Sequence, residues 1–439
     1  MLCYVAPLLG LLVLLQLQPE AAALQAPLRR IAIVGAGAGG LTLANALRKL
    51  DTGVDEVEVF ERSVSNLQPG TGGGIQINSG ASILRLLGFG DELDASAQRI
   101  TRVLTRAASG RVLLDLDVLE AAERRRNSGQ FAASDLKFYA IMRDRLQQML
   151  LAQLPDGCLQ LGKEVTNLEQ TDKGVSLRFR DGSASQRPYD MVVGADGIAG
   201  AVKAAVSGTE TPAVDSGLRI QLGVGAGNRP SGADSELHQW FGGNTYALTA
   251  TYGGIGGKSE MIAIVYQDRK PMGENIGWQT ADVTQDAVTR LEERCFPQEV
   301  VNVAKGCDRF FQVGVRYRNP LTKWSSTDGR MVLLGDSAHA MPPTLGQGAN
   351  QAIQDAYCLA ERLQALKRGD YGSVREAVRS YEATRKPLVA SLLAKSVFLG
   401  GVETLDGPVG AFVRDNFFSV MGTVGVAEKI FVDGGVPRV

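Results

Sequence analysis

The chain has 439 residues, 44% hydrophobic and 21% charged, an ordinary globular composition long enough for two or three structural units and a sizeable core. Its 46 basic and 47 acidic residues leave a formal net charge of -1, which removes any bulk electrostatic reason to expect nucleic acid or an anionic membrane surface as partner. Small molecules are the expected partners.

The N-terminus joins a Leu-rich segment, Val5 to Leu17, to small residues at Ala21, Ala22 and Ala23. This predicts a cleaved signal or targeting segment over 1–23 that directs the chain into the secretory pathway, because the apolar run falls short of the roughly 20 residues that span a bilayer. A basic n-region is missing, so an uncleaved anchor stands as the alternative. Around Ala23-Leu24 the segment loosely resembles the bipartite plastid presequences of algae with complex plastids, with Leu24 in place of the usual aromatic residue. A plastid is therefore one destination to consider.

From Arg30, "RIAIVGAGAGGLTLANALRKL" reads as an apolar strand, a glycine turn, and a helix with Leu43, Ala44, Leu47 and Leu50 on one face. "VDEVEVFER" supplies a second strand, completing a βαβ unit and implying a parallel sheet buried by helices. Gly35, Gly37 and Gly40 have the spacing of a dinucleotide fingerprint: a tight turn, a close approach of backbone to pyrophosphate, and close packing of helix on strand. Phosphate would then meet the helix N-terminus. Glu61, at the end of the second strand, is placed to accept hydrogen bonds from an adenosine ribose.

Further on, "FYAIMRDRLQQMLLAQL" reads as a strand entering a helix, and "VSLRFRDGSASQRPYDMVVGADG" as a hairpin followed by a buried strand. Between about Val214 and Tyr317 the texture turns β-rich, aromatic and Gly-broken, which predicts a separate antiparallel sheet. After Lys323 the α/β character returns. The expected organisation is a Rossmann-like first part over 29–210, a β-rich substrate domain over 211–325, a second nucleotide-binding part over 326–387 and a C-terminal helical region over 388–439. Cys158, Cys295, Cys307 and Cys358 are far apart without a C-x-x-C, a pattern that indicates neither zinc nor a disulfide framework.

Two later segments bear on the choice of nucleotide. "MVVGADGIAGAVK" puts Asp196, and "MVLLGDSAHAMPP" puts Asp336, directly after an apolar strand, at the carboxyl edge where α/β sheets bind ligands. Such an Asp also serves as a helix N-cap. Two of them in this order favour FAD, a long cofactor held far from its adenine end.

The ordered set "GAGAGG", "VFER", "MRDRLQQML", "GADG" and "GDSAHAMPPTLGQGAN" resembles the group A FAD-dependent monooxygenases, the aromatic-ring hydroxylase superfamily that includes zeaxanthin epoxidase. The likeness runs from about Arg29 to Pro387. It implies FAD as cofactor and NAD(P)H as co-substrate, with Gly35, Gly37, Gly40, Glu61 and Arg62 on the ADP half. Arg143, with Leu146 and Leu150, would touch the cofactor near its centre. Asp196 would serve FAD and NAD(P)H, and Asp336 a ribityl hydroxyl. Gly200 and Lys203 stand where the family carries Ser and Arg, so NAD(P)H docking there is the weaker inference.

On this reading Pro342 and Pro343 stiffen the wall beside the flavin, and Gly346 and Gly348 let backbone N–H groups reach its pyrimidine edge. Asn350 adds a polar contact. A helix beginning near Ala349 turns its positive end to the ring, which favours the reduced anion. The family chemistry would reduce FAD with NAD(P)H, add O2, and pass one oxygen atom from a flavin hydroperoxide to an apolar or aromatic small molecule, by hydroxylation or epoxidation. Pro343, His238 and Trp240 are substrate-side candidates, with packing the alternative for His238, Trp240, Phe241 and Tyr246; His339 reads as structural. A FAD-dependent reductase of the geranylgeranyl reductase type and a non-catalytic flavin-binding regulatory protein remain as alternatives. The apolar C-terminal stretch would cover the pocket, join a dimer or lie against a membrane as a peripheral contact.

Overall fold

The computed structural model describes residues 28–65, 72–127, 137–207, 212–226, 233–268, 270 and 281–439. The expected targeting segment at 1–23 lies outside the described residues.

The chain forms a mixed α/β fold around a five-stranded sheet. Its strands lie in the order Met331–Leu333, Met191–Gly194, Arg30–Val34, Glu56–Glu61, Leu159–Leu161, all parallel. The central strand is buried from Ile31 to Val34, as a strand covered on both faces requires. Its register sets Ile31 opposite both Met191 and Val57, so the glycine turn after Val34 and the two Asp-bearing turns emerge along one edge. The helix Ala38–Lys49 packs on the helix Gly348–Arg368 through Gly39, where a Cβ would lie 2.7 Å from Leu334 Cδ1 and 3.1 Å from Ala352 Cβ.

The second sheet has long antiparallel strands Val214–Gly225, Glu236–Gly242, Thr245–Gly254, Gly257–Gln267 and Cys307–Tyr317. Its extent corrects the sequence reading, which confined the sheet to 211–325. The hairpin Arg102–Ala107 and Val112–Asp117 joins it, and Gly74–Ile77, Gln98–Arg99 and Tyr139–Met142 attach as well. Strand 102–107 pairs in parallel with 236–242, Leu237 opposite Val103, so the sheet is not purely antiparallel. The added hairpin covers a sheet edge whose N–H and C=O groups would otherwise stay open, and buries Val103, Leu116 and Leu237 in one cluster. More than a hundred residues separate the two partners, and that separation hid the pairing.

The outer face of this sheet is covered by helices Ala281–Glu293 and Gln298–Lys305, packed on Trp240, Ile262, Ile264 and Phe310. The expected boundary at 387 falls inside the helix Val374–Glu403, which starts where Ser373 Oγ accepts from the Glu376 N–H at 3.2 Å. Helices Gly407–Thr423 and Val426–Asp433 follow, and a tilted ring contact of Phe418 with Phe241, centroids 4.6 Å apart, ties the first of them to the second sheet. Among the described residues no helix is long and apolar enough to cross a membrane.

Candidate functional site

One cavity of about 1680 Å³ runs from the edge of the parallel sheet to the inner face of the second sheet, larger than the roughly 300–1,000 Å³ of an ordinary ligand pocket. At one end stands the glycine turn. Gly35 has φ +108°, and a Cβ there would lie 2.7 Å from the Ala195 carbonyl carbon, so the turn admits glycine alone. Gly37 has open space where a Cβ would project and lines the cavity, leaving the backbone accessible at the start of the helix Ala38–Lys49. Gly40 does not line the cavity; a Cβ there would collide with the Gly35 carbonyl, so it serves helix packing.

Glu61 lines the same end. Its Oε2 accepts from the Ala36 N–H at 3.0 Å and its Oε1 from the Ser63 N–H at 2.9 Å. A carboxylate has roughly four acceptor positions, so Glu61 shapes the turn and keeps capacity for ribose hydroxyls. Arg62, Lys163 and Arg180 add positive charge to this wall. Arg143 opens the helix Arg143–Leu151 and lies on the wall farther along, its backbone N–H donating to the Gly73 carbonyl at 3.1 Å.

The two aspartates meet as neighbours because their strands pair, Gly194 opposite Leu333. Both line the cavity, but they are used differently. Asp196 accepts from Ser337 Oγ at 2.8 Å and from the Val202 N–H at 3.2 Å, so its carboxylate turns into the first turn of the helix Ala201–Ser207. Gly200 permits this, since a Cβ there would overlap the Asp196 carboxylate. Burial pushes the Asp196 carboxyl upward against those hydrogen bonds. Asp336 is enclosed by protein, yet its side chain is exposed to the cavity. Burial raises its pKa, opposed by the nearby His339 and Arg143. It is the carboxylate free to take a ligand hydroxyl.

Beyond Asp336, Pro343 to Ala349 form the wall. Gly346 has φ +61° and ends the short 3-10 turn Pro343–Leu345. The helix Gly348–Arg368 then begins without a side-chain cap or an acidic residue in its first turn, so its positive end faces the cavity. Asn350, expected as a ligand contact, is spent inside the fold. Its Oδ1 accepts from the Asn78 and Gly80 N–H groups at 2.9 and 3.0 Å, and its Nδ2 donates to the Gln76 and Gly346 carbonyls at 3.0 and 2.9 Å. It clamps the loop to the strand Gly74–Ile77.

Behind this loop lies a buried ionic network. Asp355 Oδ2 accepts from the Gly335 N–H at 2.9 Å and meets His339 Nε2 at 2.5 Å, while Arg385 Nε donates to its Oδ1 at 2.7 Å. Burial works to raise the Asp355 pKa, but His339 and Arg385 hold it down to about 2. His339 is thus structural, as its surroundings in the sequence suggested.

The far end of the cavity corrects the substrate-side expectations. Leu237 and Gln239 line it; His238 and Trp240 do not. Alternation along the strand sends them to the other face, where His238 Nε2 pairs with Glu236 at 2.7 Å and Trp240 packs under the outer helices. Pro343 and Tyr246 do reach the cavity. The sequence reading missed Glu403, whose Oε1 accepts from Gln239 Nε2 at 2.8 Å and whose carboxyl also interacts with the Tyr246 hydroxyl. Burial pushes this carboxyl up to about 8 against those two hydrogen bonds. The available signal was a lone carboxylate ending the apolar stretch "SVFLGGVE".

The cavity has Glu61 and the Gly35–Gly37 turn at one end, Asp336 farther along and Gly346–Ala349 beyond it, a succession that suits the ribose, pyrophosphate, ribityl chain and flat ring of FAD in their order. Residues 29–396 match the FAD binding domain family. The chain is 31% identical over 371 residues to 3-amino-4-hydroxybenzoate 2-monooxygenase of Streptomyces cremeus, covering 83% of this chain and 84% of that protein. It is 27% identical to the aurachin C monooxygenase/isomerase of Stigmatella aurantiaca, covering 90% and 94%. The structure superposes on Klebsiella pneumoniae HpxO complexed with FAD and uric acid with a TM-score of 0.76 at 20% identity, over 93% of this chain and 97% of that one.

Proposed function

The chain belongs to the group A FAD-dependent monooxygenases, and from that premise we propose that it uses NAD(P)H and O2 to hydroxylate or epoxidise an apolar or aromatic small molecule. The observation that carries this reading is the continuity of the cavity, from the Gly35–Gly37 turn past Asp336 to a mostly apolar chamber on the second sheet. FAD, when bound, supplies the electron transfer and the oxygen chemistry.

The protein's own residues supply position and environment. Gly37 and the start of the helix Ala38–Lys49 receive the pyrophosphate, Glu61 the ribose, and Asp336 a ribityl hydroxyl. The uncapped N–H groups at Gly348 and Ala349 line the cavity and would stabilise negative charge on a bound flavin as a preorganised field. Leu222, Leu237, Leu248 and Met261 on the second sheet hold an apolar substrate and keep water from the reacting face.

The test is oxidation of NAD(P)H by the FAD-loaded protein across a panel of aromatic compounds under ¹⁸O2. The expected result is coenzyme consumption coupled to a product heavier by one labelled oxygen atom. Product formed by reduction alone, or without label, overturns the oxygenase reading.

Peripheral membrane contact is proposed for the C-terminal helices, on the support of exposed Val409, Phe412, Val413 and Val420 in the helix Gly407–Thr423. Co-sedimentation with neutral vesicles that Phe412→Asp abolishes is the expected result; equal sedimentation of both proteins rules it out. Entry into the secretory pathway through residues 1–23 is likewise proposed, and a fluorescent fusion with and without that segment tests it.

A further inference from the structure

We infer that the carboxyl group of Glu403, steadied by Gln239 and Tyr246, is the recognition point for a hydroxyl substituent on an otherwise apolar, uncharged aromatic substrate. This deepens the monooxygenase reading and rests on it.

Three elements meet at this point: the C-terminal end of the helix Val374–Glu403, the strand Glu236–Gly242 and the strand Thr245–Gly254. Gln239 lies beside Thr105 in the parallel pairing of two strands, and Thr105 Oγ1 donates to Gln239 Oε1 at 3.4 Å. The Gln239 amide is thereby oriented so that its Nε2 donates to Glu403 Oε1 at 2.8 Å, with the Tyr246 hydroxyl interacting with the same carboxyl. A polar line thus crosses an apolar wall made by Leu248, Ala263, Val265, Leu399 and Phe418.

Glu403 is 2% exposed, and its Oε2 has no hydrogen-bond partner among the described residues. A buried polar atom without a partner is costly in an apolar wall, and Glu403 lines the substrate end of the cavity. A ligand atom is the partner that would satisfy it. Gln239 already occupies Oε1, which leaves Oε2 as the oxygen for a ligand atom to satisfy.

The chemistry of the ligand atom follows. The groups that hold this carboxyl are an amide and a phenol, both uncharged, so it offers no cation to a substrate carboxylate. A hydroxyl suits it in either protonation state: it accepts from the neutral acid and donates to the carboxylate. A methyl group of the same size leaves Oε2 unpaired, and a carboxylate would face a second carboxyl across an apolar gap.

The experiment titrates the FAD-loaded full chain with 2-naphthol, 2-methylnaphthalene and 2-naphthoate, reading the perturbation of flavin absorbance. The expected order has 2-naphthol binding roughly tenfold or more tighter than 2-methylnaphthalene, with 2-naphthoate weakest. Glu403→Leu loses or inverts the preference for 2-naphthol, whereas Glu403→Gln, which keeps a donor and an acceptor, retains it. Equal or absent binding of 2-naphthol and 2-methylnaphthalene by the wild-type chain overturns the inference, as does an unchanged preference in Glu403→Leu or tightest binding of 2-naphthoate. The wild-type comparison stands even where the Leu variant fails to fold. Flavin content and coenzyme oxidation, measured on the same preparation, report separately on the monooxygenase reading: retained turnover without a hydroxyl preference sinks this inference alone.

Discussion

Arg385 has its side chain sealed inside the protein, between the helix Val374–Glu403 and the helix Gly348–Arg368. Besides its bond to Asp355, it donates to Gln351 Oε1 at 2.6 Å and to the Arg438 carbonyl at 2.6 Å, and both charged groups of the Arg385–Asp355 pair are fully buried. Arg385→Leu removes the guanidinium and leaves Asp355 supported by His339 and the Gly335 amide. Stranding one member of a buried pair costs about 3–5 kcal/mol, a large part of the roughly 5–15 kcal/mol that holds a folded chain together. Because Asp355 also fixes the Gly335 turn that delivers Asp336, FAD retention should fall with stability. Urea unfolding followed by circular dichroism measures the first effect, and gel filtration with flavin absorbance the second. In the double variant Asp355→Asn/Arg385→Leu the loss should be less than the sum of the two single losses by about 1 kcal/mol or more. A loss under about 1 kcal/mol for Arg385→Leu would refute the reasoning, since it would mean that the network is not what holds the loop.

Gly35→Ala combines a backbone strain of about 1–3 kcal/mol with a collision at Ala195, so FAD affinity measured by calorimetry should drop at least about tenfold; unchanged affinity counts against the turn's role. Asp336→Ala should weaken FAD binding without lowering the stability of the cofactor-free chain, because its carboxyl faces the cavity; equal flavin retention would deny it a ligand role. His238→Ala should leave 2-naphthol affinity within about twofold, while Gln239→Leu should weaken it several-fold, as a lost buried hydrogen bond requires; the reverse ranking would place the wrong strand face on the cavity. Glu403 stays protonated in the folded chain to about pH 8, against an ordinary 4.5 for an exposed glutamate. Its proton therefore favours the fold: the contribution is complete below about pH 4.5 and declines up to about pH 8, by about 1.4 kcal/mol per pH unit. Glu403→Gln abolishes that slope, so its stability relative to wild type should rise across this window and level off above it; a pH-independent difference in urea midpoints would contradict the buried, neutral acid.

The sequence by itself determined whatever depends on a local pattern joined to a fixed backbone geometry. The strand–glycine–helix passage from Arg30 to Leu50 could make only one tight turn, and the apolar runs ending at Asp196 and Asp336 could end only at one edge of a parallel sheet. The kind of fold and the cofactor end of the cavity were legible for that reason. Only the tertiary structure decided how those groups are used. Asp196 and Asp336 read alike in sequence, yet Ser337 and the space left by Gly200 turn one carboxylate inward and leave the other facing the cavity. Asn350 has the composition of a ligand contact, but three backbone groups at Gln76, Asn78 and Gly80, together with the nearby Gly346 carbonyl, consume its side chain. The substrate chamber was least legible of all. Strand period alone leaves two faces, and the choice between His238/Trp240 and Leu237/Gln239 is made by which sheet, helix and hairpin close over each one. Glu403 reaches the site from a helix more than 150 residues beyond its strand partner, a proximity set by packing between elements that no neighbouring residue encodes.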